Sequence, residues 1–109
     1  MSDFQDAVQR GRAIVQDFLE KRFPGATIHP RPGGGVMGEN DRWRVTRDGW
    51  THPFKIQVTE RALSDPDGIL AAGLAKLDRD WIGRAGSEPQ WCLLTFDVLS
   101  KTPEEWRDR

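Results

Sequence analysis

The stretch Arg42-Trp43-Arg44-Val45-Thr46-Arg47-Asp48-Gly49-Trp50-Thr51-His52-Pro53-Phe54-Lys55-Ile56-Gln57-Val58-Thr59 decides the fold. Large apolar and polar residues alternate on both sides of Asp48-Gly49, which is the period of half-buried strands around the strongest two-residue turn signal. The pattern predicts a hairpin with strands over 42–47 and 50–60. Counting from the turn puts Arg47 opposite Trp50, Val45 opposite His52, Trp43 opposite Phe54 and Arg42 opposite Lys55. One face then carries Trp43, Val45, Trp50, Phe54, Ile56 and Val58 and must be core. The other carries Arg42, Arg44, Thr46, Thr51, Pro53, Lys55, Gln57 and Thr59 and is polar throughout. Pro53 has no N–H to give a ladder, which argues that the second strand lies at a sheet edge, open to another strand beyond Pro53.

Working outward, the residues before the hairpin place Phe4, Ala7, Val8, Gly11, Ile14, Val15, Phe18 and Leu19 at helical spacing, and Pro24-Gly25 ends that helix. A short strand over 26–29 follows. Pro30-Arg31-Pro32-Gly33-Gly34-Gly35 reads as an irregular connection. After the hairpin, Asp65-Pro66-Asp67 is a helix start, with Asp65 as N-cap and Pro66 in the first turn. The helix runs to about Ile82 with Leu70, Gly73, Leu74, Leu77 and Trp81 on its apolar stripe. Trp91 to Val98 is a nearly continuous apolar run, as in a strand buried on both faces. Thr102-Pro103-Glu104-Glu105 opens a short C-terminal helix. The reading is an α+β domain in the order α-β-β-β-α-β: an antiparallel or mixed sheet of about four strands with two main helices packed on one face.

At 109 residues the chain suits one domain, 1–109. Net charge −1 and a pI near 6.1 supply no global attraction to nucleic acid or anionic lipid, so such binding needs a local patch. One cysteine, Cys92, excludes an internal disulfide. No stretch approaches a membrane span, and acidic Asp3 and Asp6 stand where a secretory signal would be basic. The expectation is a cytoplasmic protein without membrane association.

Motifs for chemistry are sparse. Gly33, Gly35 and Gly38 fit G-x-G-x-x-G, but a strand rather than a helix follows them, so no helix N-terminus awaits a pyrophosphate. His29, His52 and Cys92 lack metal-site spacing, so neither metal nor cofactor is expected. Cys92 lies in an apolar run that suits core better than a nucleophile.

The element order matches the core of restriction-endonuclease-like nucleases, in which an Asp and an acid-x-Lys on adjacent strands bind metal. The corresponding strand segment here reads Gln57-Val58-Thr59, with neither acid nor Lys. The double-stranded-RNA-binding fold shares helix, three strands and helix, but Asp65 and Asp67 stand where its second helix is basic. Neither likeness brings functional residues with it.

The sequence therefore favours a small non-enzymatic domain that binds or regulates a protein partner or self-associates. The first alternative is nucleic-acid binding by the polar hairpin face. Arg42, Arg44, Lys55 and Gln57 would contact phosphates, Trp50 would offer a stacking surface, and Arg31 could join from the glycine-rich segment. The second is an enzyme with a dispersed site.

Overall fold

Two antiparallel strands do form around Asp48-Gly49, and they are the second and third of five among the described residues. The computed structural model describes residues 3–33, 40–87, 90–95 and 98–100. Helix α1 (Asp3–Arg22) leads into a meander of β1 (Thr27–Arg31), β2 (Asp41–Thr46) and β3 (Phe54–Val58). A crossover through α2 (Glu60–Leu63) and α3 (Ala71–Asp80) brings β4 (Gln90–Leu94) parallel to β3, and β5 (Val98–Ser100) returns antiparallel to β4. The sheet is mixed, in the order β1-β2-β3-β4-β5. The α+β class and the order α-β-β-β-α-β stand as expected, with β5 and the single-turn α2 added. The C-terminal helix expected from Thr102 lies outside the described residues.

Each helix forms for local reasons. In α1, Asp3 and Asp6 stand in the first turn and Lys21 and Arg22 in the last, each complementing the helix dipole. Val8, Gly11, Val15 and Leu19 make its buried stripe, and Gly25, at φ 82°, turns the chain out of the helix region. The crossover helix begins on Asp65, whose carboxylate accepts from Ile69 N at 3.0 Å. Its backbone carbonyl accepts from Leu70 N at 3.1 Å, a bond five residues apart that widens 66–70 into a π turn before α3.

The buried helix residues join Trp43, Val45, Phe54, Ile56, Val58, Cys92 and Leu94 in one core, so the described helices cover a single sheet face. Fully burying each Leu or Val contributes about 1.5–3 kcal/mol. Two glycines set the helix positions. A Cβ on Gly11 would run into the Leu63 backbone carbonyl, and one on Gly73 would come 2.7 Å from the Leu94 side chain.

Three expectations are corrected. The hairpin register is shifted by two: Val45 pairs with Phe54, Trp43 with Ile56, Arg42 with Gln57 and Arg44 with Lys55. The turn closes as read, with Trp50 N donating to Arg47 O at 3.0 Å. Thr51 N and His52 N then leave the ladder for the carbonyl of Gly86, at 3.1 and 3.4 Å, and β3 starts only at Phe54. Second, β3 is interior, between β2 and β4, because Pro53 precedes the ladder. Third, β1 lies at an edge of the sheet and continues through Pro30 and Arg31. Proline is tolerated there because an edge strand has a second side that makes no ladder.

Candidate nucleic-acid interface

The register assembles the candidate site on the sheet face opposite the helices. Side chains one strand apart in register share a face, and those two apart along a strand do too. His29 on β1 therefore lines up with Arg44 on β2 and Lys55 on β3, and the row continues to Trp91 on β4. The neighbouring row runs Arg31, Arg42, Gln57, Leu93. Neighbouring strands lie about 4.8 Å apart and rows about 6.7 Å apart, so four cations and a histidine share roughly 10 by 7 Å of backbone. No acidic residue occupies this face at the described positions of β1 to β4. Like charges directly opposite each other in a sheet destabilise it by tenths of a kcal/mol, and here two such pairs stand side by side: Arg31 with Arg42, and Arg44 with Lys55.

Of these residues, His29, Arg31 and Arg44 are exposed, and neither arginine has an ion pair among the described residues. Arg42, Lys55 and Gln57 are half-buried, and Arg42 and Lys55 have further interactions of their own. Trp91 is only 6% exposed.

Trp50 does not join them. It lies beyond the end of the ladder, half-buried against Phe23 in an edge-to-face contact of 5.3 Å, and its indole closes over Gly86. Its ring packs with the core and is not a stacking platform for the basic face.

The opposite face of β2 holds the one buried charge among the described residues, Asp41, at 4% exposure. Arg12 of α1 grips it with two bonds, Nε to Oδ2 at 2.6 Å and Nη2 to Oδ1 at 3.3 Å, while Gly33 N donates to Oδ1 at 2.8 Å. Next to this pair, Trp43 Nε1 donates to Gln16 Oε1 at 3.1 Å. A groove of about 280 Å³ between α1 and the β1 end is lined by Arg12, Gln16, Pro30, Pro32, Asp41 and Trp43. Arg12 and Asp41, and Trp43 and Gln16, satisfy one another, so Asp41 acts as a clasp joining α1, β2 and the start of the glycine-rich segment. Asp41 pairs with Val58 at the end of β3, and its carboxylate is bound to a guanidinium.

No family model, curated protein or solved structure significantly matches this chain.

The remaining candidate groups are spread out. Cys92 is fully buried on the helix side of β4, and burial pushes its thiol up to about 12. His29 is on the other face of β1, three strand spacings or about 14 Å of sheet away. His52 lies in the loop tied to Gly86. No group of three or more His, Cys, Asp or Glu side chains converges as a metal site among the described residues.

Sequence reasoning found Arg42, Arg44, Lys55 and Gln57 because face membership follows from alternation alone. It missed His29. The signal was the alternation Thr27, His29, Arg31 against Ile28 and Pro30, hidden by reading Pro30 as the end of the strand.

Proposed function

We propose that the protein is a non-enzymatic binding domain whose outer sheet face docks on the phosphate backbone of nucleic acid. The observation that carries this reading is the set of four cations in register on one sheet face, Arg31 opposite Arg42 and Arg44 opposite Lys55, with no acidic residue on that face among the described residues. A polyanion laid across this face would meet Arg31 and Arg44, both exposed and without an ion pair among the described residues. Arginine suits phosphate because its planar fork donates two parallel bonds. The aromatic in the row, Trp91, is buried, so the reading assigns the cations to backbone contacts and not to base readout.

The test is fluorescence anisotropy with labelled single- and double-stranded DNA and RNA, alongside poly-glutamate of equal charge. Saturable binding is expected at 50 mM salt, weakening about a hundredfold by 200 mM, as neutralisation of four phosphates implies. The double variant Arg31→Gln/Arg44→Gln should keep its fold, because both side chains are exposed, and should lower the salt slope by about two. Undiminished affinity in that variant, or equal affinity for poly-glutamate, would overturn the reading, the second outcome in favour of an acidic protein partner.

A further inference from the structure

We infer that His29 is a further phosphate-contacting residue of this face and that it engages as the imidazolium, so that binding takes up a proton. The inference rests on the nucleic-acid reading above. His29 is exposed on the edge strand, directly opposite Arg44, with Arg31 and Thr27 beside it on its own strand. Arg42 lies diagonally across on β2 and Lys55 one strand further along the same row. Helix α1 packs on the other side of the sheet, where it meets the face that carries Ile28. Every charged group that faces the imidazole from the described strands is therefore a cation.

Among the described residues no carboxylate shares the outer face of β1 to β3 with the ring. A phosphate chain laid across Arg31 and Arg44 changes that, because it brings negative charge beside the ring and favours the protonated state. Linkage then requires the converse: protonating His29 must tighten binding by the same factor. Histidine is the side chain whose ordinary titration falls between pH 5 and 8, and the chain has two, His29 and His52. His52 is half-buried in the loop bonded to Gly86, away from the ladder, and serves as the internal control.

The experiment measures duplex DNA affinity at 50 mM salt from pH 7.5 to 5.5, a range in which the DNA phosphates stay ionised. Wild type should tighten about three- to tenfold on acidification, the effect of a proton bound up to one pH unit more strongly in the complex. His29→Gln should bind at all pH values like wild type at pH 7.5. His29→Arg should bind at all pH values like wild type at pH 5.5, and His52→Gln should keep the pH response. A flat wild-type profile, or a response surviving in His29→Gln, overturns the role of His29 while leaving the phosphate-binding face intact. Absence of binding at every pH overturns both.

Discussion

Burial holds the Cys92 thiol protonated up to about pH 12, against an ordinary value near 9. An unfolded chain loses this proton from pH 9 upward while the folded chain keeps it, so between these values the unfolded state binds fewer protons. Stability contributed by the neutral thiol is therefore full below pH 9 and falls as pH rises toward 12. Native protein should resist alkylation by iodoacetamide at pH 8, and the same protein in urea should react completely; rapid native labelling would show that β4 opens. The sequence made Cys92 legible as a core residue because its neighbours are apolar. Asp41 was less legible, since nothing local marks an aspartate that will meet Arg12, twenty-nine residues earlier, and Gly33. Its environment exists only once α1 lies on the sheet.

At the level of elements, α1 and α2 meet where Gly11 abuts the Leu63 carbonyl. Gly11→Ala sets two effects against each other. Alanine is the better helix former by about 1 kcal/mol, but its methyl must displace backbone in a close-packed core, an overpacking cost of about 1–3 kcal/mol. Backbone cannot swing aside as a side-chain tip can, so net destabilisation of about 1–2 kcal/mol is expected in urea unfolding; a more stable variant would mean that α1 slides freely on α2. Helices and strand faces were readable because periodicity is a local property. A register shift of two leaves the side chains of 42–46 and 54–58 on their predicted faces, so the outer-face cations were found despite the wrong pairing. The register itself depends on Gly86, thirty-five residues from Thr51, whose carbonyl accepts Thr51 N, His52 N and Thr51 Oγ. No turn rule applied to Asp48-Gly49 contains that information. For the same reason β3 was placed at an edge: its parallel neighbour β4 arrives only after the whole crossover.

At the scale of the whole molecule, charge among the described residues is distributed asymmetrically. The formal total is −1, yet Arg31, Arg42, Arg44 and Lys55 put four positive charges on one sheet face, which leaves the remainder of the chain with an excess of five negative charges. Elsewhere, arginines of α1 are tied to aspartates: Arg10 to Asp67 at 3.0 Å and Arg22 to Asp78 at 2.7 Å. Both pairs are exposed and each contributes at most about 1 kcal/mol. Their consequence for charge is that these cations are locally neutralised, whereas Arg31 and Arg44 have no ion pair among the described residues. A pI near 6.1 thus averages over the whole chain and hides the cations gathered on this face among the described residues.

That averaging bears on how the protein behaves at a charged resin. By its pI it should pass through a cation exchanger at pH 7.5, but a bead samples faces and not averages, and the domain can turn its basic side toward the sulfonate groups. Retention on such a column at low conductivity is expected, with earlier elution for Arg31→Gln/Arg44→Gln; passage of the wild type in the void volume would mean that the sheet face does not act as a concentrated positive surface. The same orientation leaves an anion exchanger the acidic remainder to hold, so one pure sample should bind both media, each by a different side.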